Sequence, residues 1–79
     1  AAPQGTTTPQ ATPGPTPEEA EARQRFMMGL ALARAGDCRG ALAELSRSFE
    51  LVQRPNTLFN MAQCQEQLFR YDLAVRDYE

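Results

Sequence analysis

The chain has 79 residues and a formal net charge of −2 at pH 7, with ten acidic side chains against eight cations, every one of them Arg. This length fits one small domain at most, and the charge balance lacks the basic excess of a nucleic-acid binder. Two cysteines with no histidine cannot complete a four-ligand zinc site. No apolar run approaches a membrane span, and no Ser/His/Asp set, glycine-rich phosphate loop or metal constellation points to an enzyme or to a cofactor.

Residues 1–15 hold four of the six prolines together with Thr, Gln and Gly, and no charge appears before Glu18. Such a composition buries too little apolar area to offset the entropy of ordering, so it predicts a disordered tether. Extended, it would reach on the order of 50 Å. The opening Ala-Ala-Pro-Gln lacks the features of a signal peptide and reads as a processed terminus or an artificial boundary. About sixty residues remain to build a core, a size that is marginal alone.

Thr16-Pro17-Glu18-Glu19 starts a first helix. Thr16 can cap, Pro17 fits the first helical position, and Glu19 completes a capping box. Glu19 with Arg23 and Glu21 with Arg25 add pairs at i,i+4. Phe26, Met28, Leu30 and Leu32, with Ala and Gly between them, make this helix apolar nearly all round, as in a helix contacted on more than one side. Gly36 ends it, and Asp37 can cap the next. Helices joined so tightly run antiparallel, and Gly29 and Ala41 are placed where the backbones come close.

The second helix, from about Cys38 to Val52, carries Cys38, Ala41, Leu42, Leu45, Ser48, Phe49 and Val52 on one face, with Arg39, Ala43, Glu44, Arg47 and Glu50 mostly opposite. Arg54-Pro55 stops it, since the residue before proline leaves helical geometry. A third helix is expected over roughly Asn56 to Leu68, with Leu58, Met61, Ala62 and Leu68 inward and Gln65 interrupting that face. A fourth begins near Tyr71, shows Tyr71, Ala74, Val75 and Tyr78 at helical spacing, and breaks off uncapped at Glu79.

Sliding the sequence by 33 residues superimposes the two hairpins: Gly29 on Ala62, Ala31 on Cys64, Cys38 on Tyr71, Ala41 on Ala74 and Leu45 on Tyr78. A helix-turn-helix unit at this period marks a helical solenoid. The small residue, large residue, turn, aromatic, Ala and bulky residue in succession resemble the tetratricopeptide repeat (TPR). In the first unit these are Gly29, Leu32, Gly36-Asp37, Cys38, Ala41 and Leu45; in the second, Ala62, Gln65, Phe69-Arg70, Tyr71, Ala74 and Tyr78. The chain departs from the family at Arg25, Ser48, Gln65 and Phe69. Phe69 stands where glycine is usual, and a non-glycine residue forced into left-handed geometry costs roughly 1–2 kcal/mol.

The resemblance implies an all-α solenoid of antiparallel hairpins: residues 16–54 as repeat 1 and residues 55–79 as an incomplete repeat 2, behind the 1–15 tether. It also implies a binding module without catalysis that holds a partner peptide or protein on the concave face. By position the binding residues are Arg23, Phe26, Leu30 and Arg34 in the first unit, and Asn56, Phe59, Asn60, Gln63 and Glu66 in the second. Phenylalanine at helical spacing is more often core, so Phe26 and Phe59 also read as core or inter-repeat packing. An alternative is a structural element that stacks, through Leu73, Val75 and Tyr78, on further repeats or a second copy; a third is a regulatory module of a larger protein. Phe59-Asn60-Met61-Ala62-Gln63-Cys64 followed by Tyr71-x-x-Ala-Val is similar to TPR modules of bacterial envelope proteins. This implies a periplasmic or envelope location, with a cytoplasmic one as the alternative. Cys38 and Cys64 fall at similar heights on antiparallel helices, and read either as two buried thiols or as a structural disulfide.

Overall fold

The computed structural model describes residues 14–78 and, within them, three α-helices: α1 (Pro17–Arg34), α2 (Cys38–Leu51) and α3 (Pro55–Tyr78). The chain is all-α over these residues, and the expected 1–15 tether lies almost wholly outside them. Helix α1 opens with the expected capping box: the Glu19 amide donates to Thr16 Oγ1 at 3.1 Å, and the Thr16 amide donates to Glu19 Oε1 at 2.9 Å. The Glu19 carboxylate is spent there, and of the two pairs expected in α1 it is Arg25 with Glu21, at 3.5 Å, that forms among the described residues.

The turn between α1 and α2 is a Schellman motif. Gly36 has φ +88°, its amide donates to the Ala33 carbonyl at 3.1 Å, and the Asp37 amide donates to the Leu32 carbonyl at 2.8 Å. Asp37 then caps α2, its Oδ1 accepting from the Gly40 amide at 2.9 Å. Two residues thus end one helix and start the next, which folds α2 back along α1.

The hairpin closes around Gly29, where a Cβ would lie 2.6 Å from Leu45 Cγ and 3.3 Å from the Ala41 carbonyl oxygen. Cys38, Ala41 and Leu45 from α2 and Cys64 from α3 form the buried core, with Phe26, Leu32, Ala33, Leu42, Met61 and Leu68 packed against it. Ser48 is also buried, and its hydroxyl donates to the Ala22 carbonyl at 2.7 Å. Arg25 reaches across the hairpin to Glu44 at 2.9 Å. That hydrogen bond and charge hold its guanidinium even more firmly protonated than usual.

Helix α3 corrects the expected second hairpin. It runs unbroken for 24 residues, about 36 Å at 1.5 Å per residue, through the Phe69-Arg70 position where a turn was expected. Among the described residues no separate fourth helix forms. The reason is local: residues 67–72 contain neither Gly nor Pro, so nothing there supplies a left-handed cap. The inward face also differs. Thr57, Met61, Cys64 and Leu68 turn toward α2, whereas Leu58 is 51% exposed and Ala62 is exposed on the outer side. Helix α3 packs chiefly on α2 and only sparingly on α1.

Filling Gly29 tests the hairpin. Gly29→Ala gains helix propensity but forces Leu45 aside, and is expected to lower stability by about 1–2 kcal/mol in urea unfolding. Gly36→Ala, strained by its positive φ alone, is expected to cost about 1 kcal/mol.

Candidate functional site

Because α3 leans on α2 and touches α1 little, the three helices leave a groove at the end of the hairpin remote from the Gly36 turn. Its volume is about 360 Å³. One wall is Ala22, Arg23, Phe26 and Met27 of α1; the other is Arg54, Asn56 and Thr57, from the linker and the first turn of α3; Ser48 of α2 is the floor. A second depression of about 220 Å³, lined by Pro15, Glu19, Ala20, Arg23 and Arg54, adjoins it at the two arginines.

The groove's chemistry follows from its lining. Phe26 is half-buried and Met27 is 62% exposed, giving an apolar wall. Arg23 and Arg54 are both exposed and, among the described residues, form no ion pair. Thr57 is buried, at 2% exposure, and its hydroxyl has no hydrogen-bond partner among the described residues. The Ser48 hydroxyl beside it is already committed to α1.

Of the nine residues expected on the binding face, the structure brings three to this groove: Arg23, Phe26 and Asn56. Leu30, half-buried, and Arg34, in the last turn of α1, lie further along the same stripe, outside it. Phe59 is 60% exposed but does not line the groove. The Asn60 amide donates to the Asn56 carbonyl at 2.8 Å, a bond within α3. Gln63 is exposed, and Glu66 pairs with Arg70 at 2.8 Å. Arg54, Met27 and Thr57 were not singled out from the sequence. Thr57 carried a signal, since it sits at helical spacing with Met61, Cys64 and Leu68; Arg54 sat in a linker with none.

The two cysteines are free thiols, both buried. Burial and a hydrogen bond to Cys38 push the Cys64 thiol up from 9.0 to about 11. Among the described residues no three metal-ligating side chains gather, and no helix is long and apolar enough to cross a membrane. No family model matches the sequence, and no curated protein or solved structure matches it.

The raised Cys64 pKa means the folded state holds its proton above the pH at which the unfolded chain releases it. The stability this contributes is complete below pH about 9 and is lost as pH rises toward about 11. Chemical denaturation across that window should show the decline, and Cys64→Ala should flatten it.

Proposed function

We propose that the domain is a protein-interaction module that holds an extended, acidic segment of a partner protein in the groove between α1 and α3. The observation that carries the reading is the pairing of an apolar wall with two arginines that have no partner among the described residues. Carboxylates on the segment would meet Arg23 and Arg54 in charge-assisted hydrogen bonds. A bulky side chain between them would cover Phe26 and Met27, while Asn56 and the Thr57 hydroxyl would bond its backbone. A groove built from preformed helices costs little reorganisation on binding. The resemblance to TPR modules supports the same reading, and on that resemblance an envelope location of a bacterium is part of the proposal.

The test is an array of short peptides that vary acidic and apolar content independently, with affinities of the binders measured by fluorescence anisotropy. Binders should combine Asp or Glu with a bulky apolar side chain and weaken as salt rises. Charge reversal in R23E/R54E should cost at least about tenfold in affinity. Selection of neutral peptides, or affinity unmoved by the reversal, would refute it.

A second reading, an assembly element, has its own observation. Leu58, Phe59, Phe69 and Leu73 are 40–62% exposed along α3, an apolar surface of the kind that meets another helix. In that case light scattering should show mass rising with concentration, and Phe69→Glu should hold the chain at 8.8 kDa.

A further inference from the structure

We infer that Cys38 and Cys64 are an oxidisable pair whose disulfide clasps α3 to α2, at the opposite end of their interface from the groove. Three features of the fold carry this. The thiols come from two different helices and share one buried cluster with Ala41 and Leu45. The Cys38 thiol donates to Gln67 Oε1 at 3.2 Å, which sets Cys38 against the turn of α3 that carries Cys64. The chain contains no third cysteine and no histidine, so neither another thiol nor an imidazole-assisted metal site competes for the pair.

Oxidation also leaves nothing stranded. Closing the S–S bond to ~2.05 Å asks the two side chains of this one cluster to rotate toward each other. Among the described residues the acceptor that loses a donor is Gln67, which is exposed and turns to water. Two buried thiols become one apolar bridge.

The oxidant is a low-molecular-weight disulfide such as oxidised glutathione. Cys38 is buried but is the first residue of α2, directly after the exposed Gly36-Asp37 turn, and is the sulfur that reagent reaches first when that helix end frays. Its thiolate, the proton released to water, attacks one glutathione sulfur and expels the first glutathione thiolate. Cys64 then loses its proton and attacks the Cys38 sulfur of the mixed disulfide, expelling the second. Two protein thiols are oxidised to one disulfide, and the glutathione disulfide is reduced to two thiols.

The structural consequence lies in α3. That helix is held almost entirely by α2, through a short linker at one end and side-chain packing along the rest. Closing a loop of about 26 residues from Cys38 to Cys64 adds a covalent second attachment and removes freedom from the unfolded chain.

The experiment is incubation of the reduced 79-residue chain with oxidised glutathione under native conditions, followed by alkylation and intact mass. The expected product is a monomer lighter by two hydrogens, with no retained glutathione and no alkylation until it is reduced. Its helical circular dichroism is unchanged, and its Tm rises on the order of 10 °C. Cys64→Ala should trap one glutathione on Cys38. Several results would overturn the proposal. They are a wild-type chain that keeps a glutathione, disulfide-linked dimers, loss of helix on closure, or a native chain that stays reduced where the urea-denatured chain oxidises. A Cys64→Ala chain that takes up no glutathione would do so as well.

Discussion

The Leu45 side chain lies over Gly29 where no Cβ can stand, and the rest of the molecule is arranged by that contact. A glycine at this one position lets α1 and α2 approach closely enough for Leu45 and Ala41 to be wholly buried. With one edge of the α2 stripe committed to α1, the adjoining edge, with Cys38 at its start, is left for α3. Helix α2 becomes the middle layer. Helices α1 and α3 are separate neighbours of α2 more than neighbours of each other, so a groove opens between them, floored by α2 at Ser48.

The polar groups of the interior obey the same geometry. The hydroxyl of Ser48 would be costly if unmet, but the close approach brings the Ala22 carbonyl to 2.7 Å and satisfies it. Arg25 lies on α1 with its side chain directed across the hairpin. Its Glu44 partner on α2 and Glu21 on its own helix let it span the hairpin with its charge at the surface. Thr57 is the exception: its buried hydroxyl finds no partner among the described residues, and it faces the groove.

Features governed by chemistry within a few residues were readable in the sequence. Thr16 and Glu19, and Gly36 and Asp37, each settle a helix end through bonds spanning no more than five positions, whereas Pro55 opens α3 and α2 has already ended at Leu51. The α2 stripe was readable too, since a regular amphipathic period survives almost any tertiary context. The course of residues 67–72 was not. A periodic match between Tyr71 and Cys38 says which residues are alike, but a turn needs a residue able to adopt it, and Phe69 and Arg70 continue the helix instead. The inward assignment of Leu58 and Ala62 fails as well, since the face turned to α2 is the one carrying Met61, Cys64 and Leu68. Arg23, Phe26 and Asn56 were named through the positional match to the repeat pattern, and the structure puts those three on the walls of the groove. Arg54 was read only as part of a stop signal, and nothing in a single sequence says that a linker side chain will meet α1 across a gap.

The account makes the α1–α2 hairpin the cooperative unit, supports the first half of α3 on α2, and leaves the second half as an overhanging helix. Native-state amide hydrogen exchange resolved by residue tests this most directly. The slowest amides should lie in residues 25–33 and 41–48, with intermediate protection over 58–68 and exchange close to that of an isolated helix over 70–78. Protection of residues 70–78 equal to that of α2 would mean that this segment folds back against its own chain or another, and would contradict the account.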